Sequence, residues 1–250
     1  MVEFSEPADS QRASRLVIIG DSLTFHGPDQ AHPPSDPRLW PNIAAQRLGT
    51  GVDVAAGVGW TARDAWWALT RDPLIWGEYL PRATALVLAV GGMDALPAAI
   101  PTYLRQGIAY IRPGWVRRKV RAAYLEVSPR IIAATGGPFR QLPQNATDHY
   151  LSRIVQAVRT WYPQLPIIVM TPSPYRARLY PDVHFHQPSV AAAKRWADQN
   201  EVHLVDIGEI AQRGLDEGWV NPDGMHWGWQ THEQIGGMVA VAVQQASLPC

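Results

Sequence analysis

Short apolar runs, each stopped by glycine or proline, alternate along this chain with stretches of helical period. Residues 15–19 (RLVII) run into Gly20, residues 52–56 into Gly57, and residues 83–90 (ATALVLAV) into Gly91-Gly92. Residues 166–171 (PIIVMT) and 202–207 (VHLVDI) read the same way, and 130–134 reads as a further strand once Ser128-Pro129 has broken the pattern before it. Between them, 41–48, 61–70, 148–161, 187–200, 208–217 and 231–245 carry apolar residues at helical spacing. Strands this short and this continuously apolar are buried on both faces, so the pattern predicts an α/β layer fold around a parallel sheet. Sheets of that kind place their ligands beyond the carboxyl ends of the strands.

At 250 residues and 46% hydrophobic content the chain is long and apolar enough for one large domain, and too apolar for a disordered one. Its 22 basic residues are matched by 22 acidic ones, which argues against a general nucleic-acid or membrane-surface binder. The only cysteine is Cys250, so no intrachain disulfide forms and cysteine-built metal motifs are excluded. Residues 1–15 lack the apolar core of a secretory signal, and no stretch approaches the roughly 18 apolar residues of a membrane span. These features predict a soluble, cytoplasmic protein with no integral membrane segment. Oligomeric state stays open, although the aromatic, proline-rich middle offers surface for a homo-oligomeric interface.

Two segments carry the chemistry. Gly20-Asp21-Ser22-Leu23 follows the first strand directly, where a turn presents a serine hydroxyl at the mouth of the sheet among backbone N–H groups. An Asp-Ser helix cap is the plainer reading of the same residues. Far away, Asn221-Pro222-Asp223-Gly224-Met225-His226 puts an aspartate three residues before a histidine, just ahead of the last helix. Together they supply a nucleophile, a general base and a group to orient that base.

With Gly59 after the second strand and Gly91-Gly92-Met93-Asp94 after the third, these blocks resemble, in order and spacing, the SGNH (GDSL-type) hydrolase superfamily over almost the whole chain. The resemblance implies a three-layer α/β/α sandwich of flavodoxin-like type. It also implies a Ser22–His226–Asp223 triad, and an oxyanion hole from the N–H groups of Ser22 and Gly59 with a contribution from the Gly92-Met93-Asp94 loop. The family's third block carries an asparagine where this chain has Met93, and a thioether cannot donate a hydrogen bond. The wording of VIIGDSLTFHGP, AVGGMDALP and NPDGMHWGWQTHE resembles the actinobacterial acyltransferase branch, whose best described activity is octanoyl transfer to diglucosylglycerate. That implies an acyl-CoA donor, a glycosylglycerate acceptor and no bound cofactor or metal. It also implies a single domain, 1–250, with a lid-like insertion around 96–145.

Candidate substrate contacts follow. His26 lies four residues after Ser22, and Trp60, Trp227 and Trp229 lie beside the motifs and can wall a site or stack on sugar rings. In 100–121, Tyr103 and Trp115 offer apolar surface for a medium acyl chain, while Arg112, Arg117, Arg118, Lys119 and Arg121 offer charge for a carboxylate or for donor phosphates. For most of that basic run a solvated helix face is an equal reading, and tryptophans are more often core than platform. Residues 57–62 match a dinucleotide fingerprint in form only, since the bulky Trp60 follows the second glycine. Asp182, His184 and His186 lack a third nearby imidazole for a metal, and His203, inside a strand, reads as a core histidine. The alternatives are an SGNH esterase or thioesterase acting on small acyl esters and, in another class, a non-catalytic carbohydrate-binding protein.

Overall fold

Leu16 and Ile18 of β1 (Arg15–Gly20) join one apolar cluster and Val17 and Ile19 the other, and all four are fully buried. A strand with both faces buried must have a layer on each side. The computed structural model describes residues 14–247 and supplies both layers. The readings of the amino terminus up to residue 13 and of Cys250 lie outside the described residues.

β2 (Gly51–Ala56), β3 (Ala83–Ala89), β6 (Ile167–Met170) and β7 (His203–Val205) join β1 in a five-stranded, wholly parallel sheet of order β2-β1-β3-β6-β7. On one face α1 (Trp40–Leu48), α7 (Gly208–Asp216) and α8 (Trp229–Ala246) bury Trp40, Ala44, Ala211, Ile235, Val239 and Val243. On the other, α2 (Ala62–Arg71), α5 (Gln144–Trp161) and α6 (His186–Gln199) contribute Leu69, Ile154, Val158 and Trp196. This is the doubly wound arrangement in which the chain leaves β1 for β2 on one side and returns to β3 on the other. The crevice at that switch point, beyond the carboxyl ends of β1 and β3, receives the first and third sequence blocks.

Gly236, an unexpected glycine inside α8, has a packing reason. A Cβ there would sit 2.8 Å from Ile43 Cβ and 2.9 Å from the Trp40 carbonyl, so its absence lets α8 lie against α1.

Between β3 and α5 the chain leaves the sheet. β4 (Pro97–Ala98) and β5 (Phe139–Arg140) pair antiparallel, and α3 (Thr102–Gly107) and the 22-residue α4 (Gly114–Thr135) lie between them. Here the structure corrects the strand expected at 130–134. α4 runs straight through Pro129. Its buried positions, Ser128 and Ile132, stand four residues apart on one stripe that continues across the proline. The carbonyl freed at Leu125 belongs to an exposed residue, where water can satisfy it. No helix among the described residues is long and apolar enough to cross a membrane.

Candidate active site

β1 ends at Gly20, and the Asp21 carboxylate accepts the Leu23 N–H at 2.9 Å, capping a short 3₁₀ turn over Ser22–Thr24. That turn fixes Ser22, which is buried but opens onto a small cavity. The last block arrives on a closed turn. The Asn221 N–H donates to the His226 carbonyl at 2.8 Å, and Val220 bridges Trp227 in antiparallel fashion. His226 Nε2 lies 2.9 Å from Ser22 Oγ, across 204 residues of sequence, and His226 Nδ1 lies 2.5 Å from Asp223 Oδ2. Asp223 Oδ1 accepts the N–H groups of Met225 at 2.8 Å and His226 at 3.1 Å. With both aspartate oxygens committed as acceptors, Nδ1 carries the proton and the lone pair of Nε2 faces the serine hydroxyl. The arrangement can withdraw a proton from Ser22.

The electrostatics agree with that direction. Burial lowers the pKa of His226 below its ordinary 6.5, against the pull of Asp223 and with further help from the charge of His26. Asp223 lies below the usual carboxylate range. Burial raises it, but the bonds from His226 and from the two backbone N–H groups outweigh that. Asp21 is pushed up to about 7 by burial, with the nearby Asp94 carboxylate contributing in the same sense.

Gly59 sits in the loop after β2 with φ +71°, a conformation that an L side chain adopts only under strain. The Ser22 and Gly59 N–H groups donate to no backbone carbonyl among the described residues, as donors kept for an oxyanion would be. Met93 is close by, its methyl 3.7 Å from where a Gly59 Cβ would be, and it packs against Leu96, Tyr175 and Ala177. Asp94 is fully buried and accepts the Ala62 N–H at 3.1 Å and the Thr147 hydroxyl at 2.8 Å, tying the third loop to α2 and α5. It is an anchor, with its pKa raised to about 6 by burial.

The other candidates divide. His26 belongs to the site, its ring stacked on that of His226. Trp227 does not offer a ligand surface. It is buried in the core beneath the turn, and its indole N–H donates to Ser173 Oγ at 3.1 Å, because its neighbour His226 faces the crevice and it faces inward. Trp60 folds back over Gly57 and packs against the core, while Trp229 stays half-exposed beneath the Arg38 guanidinium. Arg117, Arg118 and Arg121 line a groove of about 800 Å³ that also takes in Val58, next to Gly59. Tyr103, Arg112 and Trp115 are exposed outside it.

The paired histidines near 185 part company. His184 pairs with Asp182 at the surface, and His186 is buried on the Pro172 carbonyl. His203 is exposed, because β7 is the edge strand of the sheet. The sequence reading missed His232. It is fully buried, its Nδ1 accepts the Trp40 N–H at 3.2 Å, and its Nε2–H donates to the His26 carbonyl at 3.0 Å. No local pattern announces a contact that spans 206 residues.

Comparison with known proteins agrees with this geometry. The GDSL-like lipase/acylhydrolase family model matches residues 18–234. A diglucosylglycerate octanoyltransferase of Mycobacterium tuberculosis is 38% identical over 239 residues, covering 95% of each chain. One of Mycolicibacterium hassiacum is 39% identical over 242 residues, covering 96% of this chain and 99% of that protein. Among solved structures, a lipase/acylhydrolase from Enterococcus faecalis superposes with a TM-score of 0.63 at 14% identity, over 93% of this chain and 96% of that one. A carbohydrate acetylesterase from Sinorhizobium meliloti superposes with a TM-score of 0.59 at 15% identity, over 93% and 99%. This chain belongs to the GDSL-like lipase/acylhydrolase family.

Proposed function

We propose that this protein is a serine acyltransferase that moves an octanoyl group from a coenzyme-A-type thioester to a hydroxyl of a diglucosylglycerate-type acceptor. The observation that carries the reading is identity of 38–39% along nearly the whole chain to two diglucosylglycerate octanoyltransferases, in a chain whose Ser22, His226 and Asp223 are already hydrogen-bonded in series.

In this mechanism Ser22 Oγ attacks the thioester carbonyl while His226 Nε2 takes its proton. The new Oγ–C bond forms, the C–S bond breaks, and the thiolate leaves with the proton from His226. The acceptor hydroxyl then attacks the acyl-serine and gives its proton to His226. Breakage of the Oγ–C bond returns that proton to Ser22. Asp223 holds the productive tautomer throughout and stabilises the imidazolium formed in each half-reaction. The N–H groups of Ser22 and Gly59 receive the negative charge on the carbonyl oxygen.

Met93 takes a different part. A thioester is already activated, so an oxyanion hole of two backbone donors suffices, and the thioether lies against the acyl chain. The cavity bounded by Ser22, Met93, Leu96, Tyr175, Met225 and His226 is about 30 Å³, room for a water-sized group and not for eight carbons. Met93 and Met225 are the flexible, unbranched side chains whose rotation opens it. Segment 96–145 is the lid that keeps water from the acyl-serine, and a cytoplasmic location gives access to the acyl-CoA pool.

Incubation with octanoyl-CoA and diglucosylglycerate tests the reading. The expected product is an acceptor heavier by one octanoyl group, absent with Ser22→Ala. Release of free octanoate that ignores the acceptor would make the protein a thioesterase instead.

A further inference from the structure

We propose that the groove between α4 and the Gly59 turn binds the phosphate groups of the donor, as the nucleotide-end site of a phosphorylated thioester. This rests on the acyl-transfer reading above and names the donor's handle. Four arginines line the groove: Arg105 from α3, and Arg117, Arg118 and Arg121 from α4. Among the described residues no aspartate or glutamate lines it, although acids and bases balance over the whole chain. Among the described residues none of the four is paired with a carboxylate.

Arg117 and Arg121 stand one helical turn apart, a like-charge placement that weakens an isolated helix. An anion held between them offsets that repulsion with charge-assisted hydrogen bonds to both guanidiniums. The magnitude of charge separates the two available anions. An acceptor carboxylate offers one negative charge to four guanidiniums, whereas a diphosphate with a phosphate monoester offers about four at pH 7.

The position of the groove suits a donor. Its lining includes Val58, beside the proposed oxyanion glycine, and Tyr180, which packs in the same small cluster as Met93 and Met225. Ile108, Leu125 and Leu179 supply apolar surface in the same groove for an uncharged stem. At about 800 Å³ it has room for a nucleotide that the cavity at Ser22 lacks.

Arg118 and Arg121 are both exposed, so the Arg118→Ala/Arg121→Ala double variant keeps the core intact. The first measurement is the preference for octanoyl-CoA over octanoyl-N-acetylcysteamine, the same thioester without phosphates. The second is calorimetric binding of adenosine 3′,5′-bisphosphate, which needs no turnover. The double variant is expected to lose about tenfold or more of the preference and of the bisphosphate affinity. Parent binding should weaken steeply with salt. A rise confined to the KM of diglucosylglycerate would assign the arginines to the acceptor carboxylate and overturn the proposal. So would an unchanged preference with no bisphosphate binding. Bisphosphate binding that needs the arginines, in a protein that makes no acylated acceptor, would uphold the groove and remove the acyl-transfer reading.

Discussion

The imidazole of His26 lies against that of His226, with ring centroids 3.7 Å apart and planes inclined by 20°. His26 Nδ1 is 2.8 Å from the Gly27 carbonyl, which only accepts, so that nitrogen holds the proton and the ring is fixed over its neighbour. The stack shields one face of the proposed base, and the charge of His26 acts on His226 in the same sense as burial, lowering its pKa.

His26→Ala removes both effects, and both removals raise the pKa of His226. Activity needs the neutral imidazole, so the acid limb of kcat/KM, expected below pH 6.5 in the parent, moves to higher pH. His26→Phe keeps the shield without the charge and should move it less. Superimposable pH profiles for the parent and His26→Ala would show that the stack has no part in tuning the base.

Asp223→Asn keeps an oxygen for the N–H groups of Met225 and His226 but turns an amide NH₂ toward Nδ1. Nδ1 must then accept, Nε2 carries the proton, and the lone pair facing Ser22 is lost. Turnover should fall on the order of 10³–10⁴-fold with the melting temperature nearly unchanged. A loss of less than about tenfold would deny Asp223 the orienting role.

His232 ties α1 and α8 to the loop that carries His26, and burial pushes its pKa down to about 4. Because that value lies below the unfolded 6.5, the unfolded chain takes up a proton first on acidification. The contribution is fully present above pH 6.5 and is lost as pH falls toward 4, on the order of 3 kcal/mol in all. His232→Gln, which does not titrate, should show a shallower loss of stability across that window. Denaturant midpoints at pH 7, 6, 5 and 4 for both proteins measure the difference, and parallel curves would contradict it.

Met93→Asn restores a side-chain donor beside Gly59 and removes an apolar wall. For a short p-nitrophenyl ester, kcat should rise by about tenfold, less than the 10²–10³ lost when an enzyme built around such a donor is deprived of it. For an octanoyl donor, KM should rise. A fall in kcat for both would mean that Met93 supports the loop and does not stand in for a donor.

The parallel sheet, the serine after β1 and the Asp–His turn before α8 were legible because each is written in adjacent residues. A run such as 15–19 has its stop beside it, and Asp223 and His226 share one turn. What could not be read depends on distant partners. Trp227 is core and His226 is site although they are neighbours, since one residue of turn decides which way each faces. Pro129 signals a break, yet the buried stripe from Ser128 to Ile132 carries α4 past it. His232 is uninformative until Trp40 and His26 are folded against it.

The most direct measurement of the central claim is the fate of the acyl-serine. The protein is loaded with octanoyl-CoA, freed of excess donor, and divided between buffer and buffer with diglucosylglycerate, with the mass of the Ser22 peptide followed in time. Transfer at Ser22 predicts an octanoyl adduct on that peptide that persists in buffer and is discharged by the acceptor with matching gain of acylated product. An adduct that decays at one rate with or without acceptor, or no adduct on Ser22 at all, would contradict it.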